Sequence, residues 1–192
     1  MSSILIVNIL QDNGVNILLS SDCSSKFTST LGCGITEVDV WMVTADMSDG
    51  TNADITTNLA RASTQVGNGL GYLGTGMTES SGIFSFPSTG IWRVDVNLQA
   101  NVAAGDNAAL RVNVTTDNST YNGLVFANVS NKAASGTQAD IDTGNVSAIL
   151  DVTDTSNVKV KFTTTGFGSG TSIQGSTAHL QTYFMFTRLG DT

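Results

Sequence analysis

Between Trp92 and Val102 the chain alternates without a break. Trp92, Val94, Val96, Leu98, Ala100 and Val102 fall on one side; Arg93, Asp95, Asn97, Gln99 and Asn101 fall on the other. A period of two sustained this long dictates a β-strand with one buried and one wet face. Just ahead, Phe84-Ser85-Phe86 is a shorter run of the same kind, and Pro87, Ser88, Thr89 and Gly90 separate the two as a turn. Pro87 is the only proline in the chain. The rest of the chain reads as further strands that cover the apolar side of this one.

Those strands follow in order. Glu37–Thr44 opens the body, with Val38, Val40, Met42 and Thr44 alternating against Asp39, Trp41 and Val43. Residues 46–54 form a turn-rich acidic loop, and Ile55–Arg61 is either a short strand or one helical turn. Residues 67–76 are dense in glycine, as expected of a loop with unusual backbone angles or close chain approach. Strands are expected over Asn107–Thr115, Tyr121–Val129, Val146–Val152 and Val158–Phe162, with polar loops at 130–144 and 166–175 and a closing strand over Ala178–Leu189. About eight body strands separated by turn signals predict an all-β fold, a jelly-roll β-sandwich. No helix longer than a turn is expected.

Ahead of the body, Ile4–Val7, Ile9–Leu10 and Val15–Leu19 are apolar runs around Gln11-Asp-Asn-Gly14. Asn-Gly between apolar runs is a strong hairpin signal, and a lone hairpin is marginal in water, so this one must lie on something. It reads as an N-terminal β-hairpin arm whose docking residues are Ile4, Ile6, Ile9, Ile17 and Leu19. Residues 20–36, rich in Ser, Thr and Gly, link it to the body and hold Cys23 and Cys33. The chain divides into residues 1–36, docking arm and linker, and residues 37–192, the jelly-roll body. The two cysteines pair in an oxidising setting or stay free thiols in a bacterial cytosol.

Charged residues are only 12% of the 192, the net charge is −8, and there is no basic run. That argues against a nucleic-acid partner. No apolar stretch approaches the length of a membrane span. The start has no basic region ahead of its short apolar run, so no secretory leader is expected.

Signals for chemistry are weak. Gly69-x-Gly71-x-x-Gly74 matches a dinucleotide fingerprint by letter, but Thr75, Gly76, Ser80, Ser81 and Gly82 follow and no helix starts there to hold a pyrophosphate. Asp46, Asp49, Asn52 and Asp54 make an oxygen-rich loop without the terminal Glu of an EF-hand, and read as a solvated turn. His179 is the only histidine and comes with no nucleophile elbow, so it reads as structural or as an interface residue. Neither a cofactor, a metal nor an enzyme activity is expected. The last strand is apolar on both faces. Phe184 and Phe186 fill a core, whereas Tyr183 and Met185, with His179 on their side, need a second apolar surface. Either the arm covers them or a trimer does, and closure by symmetry is preferred.

The aromatic-x-aromatic pair, Pro87, and Gly90-x-Trp92-x-Val94 running into an alternating strand resemble the globular head of the complement and tumour-necrosis-factor superfamily. The aromatic-rich close Leu180–Leu189 resembles it too; Trp92 stands where that pattern usually has Tyr. The resemblance covers roughly residues 37–192 and implies a jelly roll and a tight homotrimer with Tyr183, Met185 and His179 at its interface. Residues 4–20, through Ile4, Ile6, Val7, Ile9, Asp12, Gly14, Leu18 and Ser20, resemble the opening of tailed-phage virion proteins. Together these imply a structural protein of a bacteriophage virion, assembled in the host bacterial cytoplasm. The first expectation is a capsid decoration (cement) protein, docked through its arm on the major capsid protein or another virion protein. The alternative is the receptor- or glycan-binding head of a fibre, with glycan contacts on Tyr72 or Tyr121.

Overall fold

The computed structural model describes residues 10–12, 15–17, 34–48, 52–65, 71–133 and 139–192. The chain forms two compact units, Met1–Gly34 and Ile35–Thr192. In the first, β1 (Leu10–Asp12) and β2 (Val15–Ile17) pair antiparallel, with Leu10 opposite Ile17 and Asp12 opposite Val15. Of the docking residues, Ile4, Ile6, Ile9 and Leu19 lie outside the described residues, as do Cys23 and Cys33; for Ile17 only its place in β2 is described.

The second unit opens with β3 (Val38–Val43), β4 (Met47–Ser48), β5 (Leu59–Arg61) and the single turn α1 (Ala62–Gln65). Next come β6 (Thr78–Ser80), β7 (Ile83–Ser85), β8 (Gly90–Val102), β9 (Asn107–Thr115) and β10 (Asn122–Ser130). The chain ends with β11 (Asp140–Val152), β12 (Lys159–Thr164), β13 (Ser172–Ile173) and β14 (Tyr183–Gly190). They form two antiparallel sheets. The smaller runs β10-β9-β12-β7-β6; the larger runs β4-β13-β8-β14-β3-β5, with β11 on the other edge of β8.

The alternating strand is the spine of the larger sheet. One edge of β8 pairs with β11 along its whole length, from Gly90 opposite Val152 to Val102 opposite Asp140. The other edge takes β14 over Ile91–Asn97 and then β13 at Ala100 and Asn101. Pro87 sits where the chain leaves one sheet for the other. It has no N–H to give a ladder, and its segment connects β7 of the smaller sheet to β8 of the larger. The β6–β7 connection is Ser81-Gly82, both at positive φ (53° and 82°), the backbone of a two-residue hairpin turn. A Cβ on Gly82 would meet the Ile55 carbonyl oxygen at 2.2 Å, so glycine is required there twice over.

Aromatic rings hold the sheets together. Phe162 from the smaller sheet stacks on Phe184 from the larger, centroids 3.6 Å apart. Phe84 packs edge-on or tilted against Trp41, Phe162 and Phe186 at 5.3–5.5 Å, and Phe86 lies 5.1 Å from Trp92. Such pairs add about 0.5–1.5 kcal/mol each beyond the area they bury.

β3 turns Asp39, Trp41 and Val43 toward this core. Asp39 is 1% exposed and is enclosed by hydrogen-bond donors. Arg61 Nε donates to Oδ1 at 2.9 Å and its Nη2 to Oδ2 at 3.1 Å; Trp41 Nε1 and the Met77 amide donate at 2.9 and 2.8 Å. The Arg61 guanidinium lies 5.1 Å from the Trp41 ring and 4.8 Å from the Tyr72 ring. Glu37 accepts from the Thr75 and Gly76 amides at 2.8 and 3.1 Å. Asp39 of β3 and Glu37 just ahead of it thus bind the end of the glycine-rich loop to the sheet.

Two expected boundaries and the strand count are corrected. The loop expected through Gly144 ends earlier, because β11 begins at Asp140. Its polar first half carries no alternation and is held as strand by its ladder to β8. The closing strand begins at Tyr183, not Ala178. The segment before it leaves the ladder to bond elsewhere: the Gln174 amide to Gln99 O, the Ser176 amide to Val43 O, and Thr182 O to the Val43 amide, at 2.8–3.0 Å. The short β4, β5, β6 and β13 raise the strand count above the expected eight or so.

Candidate functional site

The outward side chains of the larger sheet line up by register. Asn97 of β8 stands opposite Tyr183, and Tyr183 opposite Met42 of β3; Asp95 stands opposite Met185, and Met185 opposite Val40. β11 adds Asn145 opposite Asn97, Ser147 opposite Asp95 and Ile149 opposite Arg93. Of these, Arg93, Asp95, Asn97, Asn145, Ser147, Tyr183 and Met185 bound an open groove of about 260 Å³ between β11, β8 and β14.

The groove has an apolar wall and a charged one. Tyr183 and Met185 of β14 are half-buried; across β8, outside the groove lining, Ile149 and Ile141 of β11 are 59% and 64% exposed. On the charged wall, Arg93 donates to Asp95 Oδ1, with Nε at 2.8 Å and Nη2 at 2.7 Å. Ser147 donates to the same carboxylate oxygen and accepts from Arg93 Nη2 at 3.3 Å. Asp95 Oδ2 is buried and has no hydrogen-bond partner among the described residues. A buried acceptor without a donor is costly, so another molecule that brings one gains from contact here.

The structure brings Tyr183 and Met185 together on the expected face. It does not bring His179 to them, since that residue lies exposed in the segment before β14 rather than in the strand's alternation. The other candidates are used elsewhere. Asp46 accepts from the Gly175 amide at 2.9 Å, Asn52 from the Gly166 amide at 3.2 Å, and Asp54 pairs with Lys161 at 2.8 Å. These oxygens therefore clamp three different segments. Burial pushes the Asp54 carboxyl upward, but hydrogen bonds from Lys161 and Thr163 and the Lys161 charge outweigh it and hold its pKa below the ordinary value. After Gly74 the chain enters strand β6, not a helix. Tyr72 is 49% exposed, whereas the Tyr121 hydroxyl is buried. Among the described residues no helix is long and apolar enough to cross a membrane.

Sequence reasoning missed Arg93, Asp95, Ser147 and Ile149 as one cluster. The alternation marks Arg93 and Asp95 as outward, but only the β8–β11 register sets Ser147 and Ile149 beside them.

By sequence, no protein-family model matches the chain, and neither does any curated protein. By structure, it is similar to the Eiger TNF of S. frugiperda, with TM-score 0.57 over 83% of this chain and 95% of that one at 14% identity. It is also similar to murine APRIL, whose structure at pH 8.5 gives TM-score 0.55 over 80% of this chain and 98% of that one at 10% identity. The pH 5.0 structure of murine APRIL gives the same TM-score at 11% identity. The fold is a tumour-necrosis-factor-like jelly roll. The strand pattern around Pro87 and Trp92 thus leads to the architecture it implies, at an identity that carries the fold alone.

Proposed function

We propose that this protein is a structural, non-enzymatic virion protein: a homotrimeric capsid decoration (cement) protein whose body faces outward while its N-terminal unit docks on the phage head. The observation that carries this reading is the outer face of the larger sheet. Half-buried Tyr183 and Met185 and a buried Asp95 oxygen with no partner among the described residues lie in one groove. An apolar patch beside an unsatisfied acceptor favours a macromolecular contact, and a copy of the same chain closes it by symmetry. The superfamily resemblance implies the same trimer. The capsid setting draws on the phage-like residues 4–20 and on a separate compact unit, Met1–Gly34, ahead of a body with its own core. Apolar residues on that unit suit packing on, or strand addition to, the major capsid protein or a neighbouring virion protein. Bound protein stabilises a shell by mass action.

Light scattering tests the trimer, on the full chain and on residues 35–192. Three copies per particle are expected for both, and binding to capsids only for the full chain. A monomer in both overturns the trimer; capsid binding retained without residues 1–34 overturns the docking role.

A further inference from the structure

The outer face of the smaller sheet is of a different kind. The chain has eight Lys and Arg and a net charge of −8. Arg111, Lys159 and Lys161 stand together on this face. Arg111 is opposite Phe126 on one side and Thr163 on the other, while Lys161 and Lys159 are opposite Asn113 and Thr115.

The arrangement is built by the backbone. The β9–β10 ladder shifts register between Gly123 and Val125, and the extra residue, Leu124, is turned outward, 47% exposed, near Phe126 at 49%. Bulges commonly re-aim side chains in this way. Gly123 makes room for the Arg111 stem, since a Cβ there would sit 2.8 Å from Arg111 Cδ. The guanidinium is thereby laid against the Phe126 ring, 4.7 Å from its centroid. Its Nε is buried and unpartnered among the described residues. Lys161 Nζ lies 4.5 Å from the Tyr121 ring and 2.8 Å from Asp54 Oδ2. Thr163 donates to Asp54 Oδ1 at 2.8 Å and accepts from Asn113 Nδ2 at 2.6 Å. Asp54 offsets Lys161, which leaves Arg111 and Lys159 without an ion pair among the described residues.

A guanidinium held over an exposed ring presents its outer donors to a planar carboxylate. The neighbouring surface is two half-exposed apolar side chains among hydroxyls and amides. That is too little apolar surface for the desolvated centre of a protein interface of about 800 Å² per partner, but it matches one sugar ring. Strand rise puts Lys159 about 13 Å along from Arg111, the span of an oligosaccharide. We propose that this face binds a carboxylated oligosaccharide: a uronate carboxylate on Arg111, its ring against Phe126 and Leu124, and Lys159 placed for a further carboxylate. The glycan contact expected at Tyr121 moves to Phe126, because Tyr121 lies beneath Lys161. The inference is independent of the trimer, which uses the opposite face.

Calorimetric titration of trigalacturonate into the full chain tests this, with maltotriose as neutral control and hexaglutamate as the acidic-peptide arm. Saturable binding is expected, weakened at least about tenfold by Arg111→Gln, the loss of a charge-assisted hydrogen-bond pair. Phe126→Ser should weaken it as well, Arg111→Lys should fail to restore it, and Arg93→Gln on the opposite face should leave it unchanged. Melting temperatures check that each variant folds; if Arg111→Gln does not, Phe126→Ser and Lys159→Gln carry the test. The proposal is overturned by no saturable binding, by equal binding of maltotriose, by equally tight binding of hexaglutamate, or by variants that bind like the native protein.

Discussion

The two faces of β14 differ in what they are for. Phe184 and Phe186 point inward, have no exposed surface, and touch the Phe162 and Phe84 rings of the smaller sheet. Tyr183 and Met185 point outward, are half-buried, and border a groove with a carboxylate oxygen that has no partner among the described residues. One strand, with residues of similar size and hydropathy, commits alternate side chains to folding and to contact. The difference lies in what already covers each face: a second sheet on one side and solvent on the other.

Breaking the inner face should have the largest effect. Phe184→Ala should cost about 3–5 kcal/mol, as for other buried Phe truncations, whereas Tyr183→Ala in residues 35–192 at high dilution should cost about 1 kcal/mol or less. Urea denaturation of both measures this, and equal losses would end the contrast between the faces. Next, Arg61→Met should cost about 3 kcal/mol, because it strands Asp39 in the core. The double change Asp39→Leu with Arg61→Met should recover much of that loss, since an apolar pair can replace a buried ion pair. If it recovers nothing, the pair's role in holding the glycine-rich loop outweighs its electrostatics.

The outer face is sharpened by Met185→Lys. Association should weaken at least about tenfold with little change in the melting of the isolated body, read by light scattering over a dilution series. A mass that does not change would remove Met185 from the contact. The smallest effect concerns pH. The folded pKa of Asp54 is lowered, so its stabilising contribution is complete above the unfolded value and is lost as pH falls through the folded one. Stability measured from about pH 5 down to about pH 2 should fall less steeply in Asp54→Asn than in the native chain. Parallel curves would show that the Lys161 pair adds nothing, as is common for exposed ion pairs.

Much of the body was legible. The alternation of β8, the break at Pro87 and the apolar runs of β9, β12 and β14 are local signals, and each is where the pattern puts it, except that β14 starts at Tyr183 rather than Ala178. What stayed hidden is non-local. Asp140–Asn145 has no periodicity and is a strand only because β8 extends that far. His179 reads as part of the last strand because apolar alternation continues back through it, yet the Ser176 amide bonds to Val43 O and takes that segment out of the ladder. Asp39 reads like any polar residue of an alternating strand. Nothing near it in sequence reveals that Arg61 and the Met77 amide reach it in the core.

The sequence by itself determined that this is an all-β chain, where its long strands run, and which side of each is apolar, because a period of two is a property of neighbours. Only the tertiary structure decided which strands are partners, which carboxylates lie inside, and that Ser147 sits beside Asp95 and Arg111 beside Phe126. Those pairings depend on register between segments far apart in the chain, and a shift of one residue would turn every one of those side chains to the other face.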